Sequence, residues 1–138
     1  MSNNVDYDKL AATYNRRFEG GAPQGVAVAL RTLAKQARAQ RVLEVGCGTG
    51  RWLEELSSTV SRLYGLDPSG GMLAQAKARR VVLKLVQGRA ASLPWVSDAF
   101  DLVFCVNAIH HFGSPSAFIA EAFRLLRPGG FCAVIGSE

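Results

Sequence analysis

The sequence predicts an α/β domain built on a doubly wound parallel sheet, in strand order 3-2-1-4-5, with helices on both faces. Three observations carry that prediction. Short apolar runs alternate with stretches of helical spacing along the chain, and right-handed crossovers wind such an alternation into a parallel sheet. One of those runs, Arg41-Val42-Leu43-Glu44-Val45, passes straight into the glycine turn Gly46-Cys47-Gly48-Thr49-Gly50 and then into the helically spaced Trp52-Leu53-Glu54-Glu55-Leu56. A strand, a glycine turn and a helix make a nucleotide cradle, because side chains are missing where a ligand must approach the backbone and helix N–H groups point into the gap. An acid, Asp67, ends a second apolar run, Leu63-Tyr64-Gly65-Leu66. In a doubly wound fold an acid about 20 residues past the first glycine hydrogen-bonds ribose hydroxyls, since the ends of the first two strands lie side by side.

Composition bounds the rest. A chain of 138 residues, 49% hydrophobic and 20% charged, is one globular domain that buries about two-thirds of its extended surface. No window approaches the roughly 18 uninterrupted apolar residues of a membrane span. Residues 1–6 lack the basic and apolar regions of a signal peptide, so a cytoplasmic protein is expected. Cys47, Cys105 and Cys132 are far apart and never form a C-x-x-C pair, which argues for small apolar side chains and against a disulfide framework or a zinc site. The net charge of +5 is scattered. It allows a nucleic-acid partner, but a solvated helix face explains Arg31, Lys35 and Arg38 equally well.

In chain order, Tyr7, Leu10, Ala11, Tyr14 and Phe18 recur at amphipathic helical spacing, and Glu19-Gly20-Gly21-Ala22-Pro23 stops that helix. A second helix is expected over residues 24–40, apolar at Val28, Leu30, Leu33, Ala34 and Ala37. The first strand and glycine turn follow, then a helix over 51–60 and the second strand. Pro68 cannot continue a ladder and Ser69 caps the next helix. A third strand is expected over 81–86, a fourth over 100–107 with the exit loop Ala108-Ile109-His110-His111-Phe112, and a last helix from Ser114 and Pro115. Pro128 should end that helix, and Gly129-Gly130 should return the chain to a fifth strand over 131–135.

These residues carry a resemblance. Glu44-Val45-Gly46-Cys47-Gly48-Thr49-Gly50 closely resembles the first motif of class I S-adenosylmethionine (SAM) dependent methyltransferases, of the small-molecule, type 11-like kind. Dinucleotide-binding folds place their third glycine where this chain has Arg51. Asp67 followed by Ser69 and Met72-Leu73 resembles the family's next segment. Arg124-Leu125-Leu126-Arg127-Pro128-Gly129-Gly130 matches its signature before the fifth strand. The resemblance implies a Rossmann-like fold, SAM as cofactor, S-adenosylhomocysteine as product and a small-molecule acceptor. It assigns the cofactor to Glu44, Gly46, Cys47, Gly48, Asp67, Pro68, Met72, Arg89, Ala90, Asn107 and Tyr14. Residues 1–22 become a lid helix and 23–138 the core.

Within that frame the glycine turn admits the methionyl part, Asp67 holds the ribose, and Asn107 sits at the methionine end. Glu44 acts through the amino group or by orienting the loop. Met72 packs on adenine, although by its type alone it reads as core. Arg89 stands where relatives of this kind carry an acid that accepts from the adenine amine. A guanidinium has donors and no acceptor, so it cannot repeat that bond; it could stack on the adenine face, or the Ala90 backbone could serve. His110 and His111 are candidate bases toward an acceptor, or fix the loop by hydrogen bonds, and no catalytic residue is assigned. The C-terminal hairpin strands that the resemblance implies are not found in the sequence, which opens one alternative, a SAM-binding domain without transfer; a second, a nucleotide-dependent oxidoreductase, comes from the shared cradle, and Arg51 counts against it. An apolar fifth strand at a sheet edge invites pairing, which leaves two expectations: a homodimer through that edge, or a chain that is a fragment of a longer enzyme.

Overall fold

The computed structural model describes residues 23–136. The expected lid helix over 1–22, with Tyr7 and Tyr14, lies outside the described residues. Helix α1 (Pro23–Gln36) leads into β1 (Arg41–Val45), then α2 (Arg51–Leu56), β2 (Arg62–Asp67), α3 (Gly70–Lys77) and β3 (Leu83–Gln87). A long loop reaches β4 (Phe100–Val106), followed by a 3₁₀ turn (Ile109–His111), α4 (Pro115–Leu125) and β5 (Leu126–Ile135). The five strands form one sheet in the order β3-β2-β1-β4-β5, and every pair is parallel. The strand order expected from the alternation is the observed one.

The central strands are buried on both faces, as a parallel sheet between helices requires. All seven residues of β4 are buried. Leu102 and Phe104 pack with Leu30, Leu33, Leu53 and Leu56 of α1 and α2. Val103 and Cys105 face the other way, onto Phe118, Ala122 and Leu125 of α4. On that second face Tyr64, Trp95 and Phe100 meet edge to face with centroids 5.0 to 6.4 Å apart. This fixes the loop before β4, which is also held from α4. Arg124 donates to the carbonyls of Trp95 at 2.8 Å and Leu93 at 2.9 Å, while Glu121 accepts from Leu93 N–H at 2.7 Å.

Boundaries differ from expectation where local chemistry overrides helical spacing. Helix α1 stops at Gln36, not residue 40, because Arg38 adopts a left-handed φ of 49° and Ala39 N–H returns to the Ala34 carbonyl, the wrap that closes many helix ends. Helix α2 stops at Leu56, whose carbonyl receives both Thr59 and Val60 N–H. Strand β3 begins at Leu83, two residues later than expected. The largest difference is at Pro128. Helix α4 already ends at Leu125, Leu126 is extended, and Arg127-Pro128-Gly129-Gly130 runs inside β5 as an irregularity opposite Phe100 and Leu102. Proline disfavours the helical region for the residue before it, and a Cβ on Gly130 would lie 2.8 Å from the Asp101 carbonyl, so only glycine passes there.

One carboxylate ties down the N-terminal ends of the strands. Asp101 accepts from Gln40 N–H at 2.6 Å and Arg41 N–H at 2.9 Å, and forms an ion pair with Arg127; Arg127 also donates to the Ala37 carbonyl at 2.7 Å. Burial opposes ionisation of Asp101, but the Arg41 and Gln40 N–H groups and the Arg127 guanidinium outweigh it and hold its carboxyl below the usual range. A depressed folded value stabilises the fold above the unfolded value of about 3.9, and that contribution disappears as pH falls through the lower folded value. Asp101→Asn should therefore lower the unfolding free energy by about 1–3 kcal/mol at pH 7, with the gap to wild type narrowing below about pH 3.9, as urea denaturation at pH 7 and pH 3 would read.

Candidate functional site

The site grows from the turn after β1. Gly46, Gly48 and Gly50 all have positive φ, at 77°, 53° and 79°, a conformation that side chains resist. Gly46 and Cys47 N–H both donate to the Leu66 carbonyl, at 2.7 and 3.1 Å, which draws the turn against the end of β2. Gly48 N–H donates to Asp67 Oδ2 at 2.9 Å, and Ser69 N–H to Asp67 Oδ1 at 2.9 Å. Outside the turn, Arg79 donates to the Thr49 carbonyl at 2.6 Å and pairs with Glu54. The loop is thus fixed from both sides.

Space differs sharply along the turn. A Cβ on Gly46 would lie 2.9 Å from Ala108 Cβ and 3.4 Å from the Phe112 ring, whereas one on Gly48 would meet nothing within 4 Å. Gly46 is glycine because the exit of β4 packs onto it. Gly48 faces an opening.

Beside the turn, a cavity of about 700 Å³ is lined by Gly46 and by Asp67, the acceptor of the Gly48 N–H, and its size is within the range of small-molecule sites. Asp67, Pro68, Arg89 and Ala90 line it from the exits of β2 and β3, and Asn107, His111, Phe112 and Ser114 from the exit of β4, across β1 in the strand order. Gly46 forms part of the floor. Of the residues expected to hold the cofactor, the sheet topology brings Gly46, Asp67, Pro68, Arg89, Ala90 and Asn107 to this one cavity. His111 joins them; His110 does not. Cys47 and Glu44 lie beneath the turn, 5% and 1% exposed, and Met72 stands off the cavity wall at 44% exposure. That exposure excludes the reading of Met72 as core. Neither imidazole makes a side-chain hydrogen bond among the described residues.

Glu44 is the unusual group. Its Oε1 is buried with no hydrogen-bond partner among the described residues. Burial first, and the neighbouring Asp67 second, push its carboxyl well above the usual value. The same two causes, burial and then the charges of Glu44 and Asp67, push the Cys47 thiol up to about 12. A thiol held protonated is a poor nucleophile, so Cys47 acts as packing under the turn; its Sγ would lie 2.8 Å from a Cβ on Gly65. Three features of the site had no counterpart in the sequence reading: the Arg79 clamp, the Ala108 contact that restricts Gly46, and the wall formed by Phe112 and Ser114. The capping serine just after the strand exit was the available signal for the last.

Comparison with known proteins places this architecture. A family model described as a methyltransferase domain matches residues 43–134, from β1 to β5. The chain belongs to the class I SAM-dependent methyltransferase family. This chain is similar to a probable S-adenosylmethionine-dependent methyltransferase of Mycolicibacterium smegmatis, 33% identical over 103 residues, which are 75% of this chain and 40% of the relative. It is also similar to the uncharacterized methyltransferase YcgJ of Bacillus subtilis, 32% identical over 94% of this chain and 53% of the relative. The YcgJ crystal structure superposes with a TM-score of 0.70, at 28% identity over 75% of this chain and 47% of that one. SAM-bound CalS10, an amino pentose methyltransferase from Micromonospora echinaspora, gives a TM-score of 0.65 at 30% identity over 80% of this chain and 48% of that one. The chain thus spans about half, or less, of the length of these relatives. No described helix is long and apolar enough to cross a membrane.

The raised carboxyl of Glu44 has a measurable consequence. Between the unfolded value of about 4.3 and the raised folded value, the folded state binds more protons than the unfolded state, so stability falls as pH rises. Glu44→Gln keeps the shape and removes the titration. The variant should be more stable than wild type at pH 8 and should lose that advantage by pH 4, as urea denaturation midpoints across this range would show.

Proposed function

We propose that this chain binds SAM across the glycine turn, in the cavity between Asp67 and Asn107, and transfers its methyl group to a small-molecule acceptor. One observation carries the proposal: the opening over Gly48 sits beside the Asp67 carboxylate, whose two oxygens each accept one backbone N–H and keep a further acceptor site. The residues present suit the cofactor. Gly48 leaves room for a ligand against the backbone, Asp67 offers acceptors to a pair of ribose hydroxyls, and Asn107 lies at the exit of β4 for a polar amino-acid group. The SAM-bound state of CalS10 and the names of the relatives support the same reading.

When bound, the cofactor supplies a sulfonium methyl that a nucleophile attacks in line. The chain's own residues position and desolvate. The fixed turn holds the amino-acid end, Asp67 fixes the ribose, and apolar Val106, Ala108 and Phe112 keep water from the cavity wall. His111, on the wall, is placed to take a proton from an acceptor that must lose one. We extend the proposal to residues 1–22 as a lid over the cavity, and to a homodimer across β5, the outer strand beside β4, for which sedimentation velocity should return twice the mass of one chain.

Calorimetric titration with S-adenosylhomocysteine should give saturable binding, and titration with NADH none; the opposite result would replace the methyltransferase reading with the oxidoreductase one. Asp67→Asn should weaken S-adenosylhomocysteine by about 10- to 100-fold, the worth of one or two hydrogen bonds to a charged group, with the thermal unfolding transition retained.

A further inference from the structure

We propose that Arg89 makes the purine end of this cavity a donor site, so that the chain accepts a 6-oxopurine nucleoside about as readily as the 6-amino form. The inference rests on the SAM-site reading above and concerns what this particular chain does with that site. Gln87 pairs with Asp67 and Gly88 N–H donates to the Asp67 carbonyl, so Arg89 and Ala90 leave β3 beside Asp67 and Pro68 and line the same cavity; a nucleoside whose ribose meets Asp67 can then turn its base toward Arg89. Among the described residues Asp67 is the only carboxylate that lines the cavity, and in this reading the ribose engages it. Its oxygens already take Gly48 and Ser69 N–H. Among the described residues no other lining side chain is an anion that could accept from a 6-amino group.

Arg89 offers the reverse chemistry. Its guanidinium carries five donors and no acceptor, it is exposed at the cavity edge, and it makes no hydrogen bond or ion pair with its side chain among the described residues. A donor facing position 6 of a purine stabilises an oxo group and leaves an amino group without a partner. An acid in that place would do the opposite, accepting from the amine and repelling the oxo oxygen. Hypoxanthine also changes N1 from acceptor to donor, so the side chain's contribution is read from how the preference changes on substitution, not from one affinity. The backbone at Ala90 is common to every variant and cancels in that comparison.

The test is calorimetric titration of S-adenosyl-L-homocysteine and S-inosyl-L-homocysteine into wild type, Arg89→Ala and Arg89→Asp, with thermal melting to verify that each is folded. Wild type should bind the two ligands with Kd values within about tenfold of each other, the worth of one charge-assisted hydrogen bond. Arg89→Asp should widen the ratio in favour of the adenosyl form by at least about tenfold, and Arg89→Ala should fall between. If Arg89 only stacks on the base, both ligands weaken together and the ratio stays constant across the three proteins; that result overturns the inference while leaving the SAM-site reading intact. Failure of wild type to bind either ligand overturns both.

Discussion

The site depends on one carboxylate holding two loops together. Asp67 is the last residue of β2, and its oxygens bridge the Gly48 amide after β1 to the Ser69 amide before α3. Parallel pairing brings β1 and β2 into register from Arg41 with Arg62 to Val45 with Leu66, so the two strand ends finish level and a side chain one residue further can span them. Had the strands been antiparallel, their loops would emerge at opposite ends of the sheet. The positive φ values in the turn follow from the same bridge: for Gly46 and Cys47 to share the Leu66 carbonyl while Gly48 reaches Asp67, the backbone must fold back on itself within three residues. Where Ser69 caps α3 by accepting from Met72 N–H, the anchored loop also sets where that helix starts.

A second carboxylate does the corresponding task at the other end of the sheet. Asp101 gathers the amides before β1 and the guanidinium of Arg127 in β5. The central strands between the two acids are apolar on both faces and have no polar side chain to fix their register except Glu44. Hydrophobic burial drives the layers together but is non-directional; the hydrogen-bonded acids supply direction at the two rims. This explains the roles of Arg124 and Arg127. Three residues apart, they serve different anchors: Arg124 holds the loop at Leu93 and Trp95, and Arg127 holds Asp101 and the end of α1.

Sequence reasoning reached the fold because the signals were strong and local. The strand order and the convergence of Gly46, Asp67, Arg89 and Asn107 on one cavity follow from an alternation of elements whose crossovers have a fixed hand. Element ends were less legible, for reasons visible at individual residues. Arg38 occupies a left-handed position normally given to glycine, so no composition signal marked the end of α1. Pro128 reads as a helix stop, yet the helix had already yielded at Leu126 to pairing with Phe100, a non-local contact that periodicity cannot register. The Arg79 clamp on Thr49 spans 30 positions of sequence and was invisible for the same reason. Burial of Glu44 was readable from its apolar neighbours, but the lack of a partner for Oε1 depends on which side chains the fold brings beneath the turn.

The two acids flanking the turn divide the electrostatic work. Glu44 and Asp67 both belong to the ends of adjacent strands, and each raises the cost of a negative charge on the Cys47 thiol. Two carboxylates this close to one another, facing an apolar sheet, would destabilise the fold if both were charged and unpartnered. The structure treats them differently. Asp67 receives two backbone N–H groups and borders the cavity, whereas Glu44 is sealed under the turn with Oε1 unmatched and its carboxyl pushed toward the protonated form. The group that borders the ligand space is the one whose acceptors are aligned by the backbone, and the buried acid does not line that space.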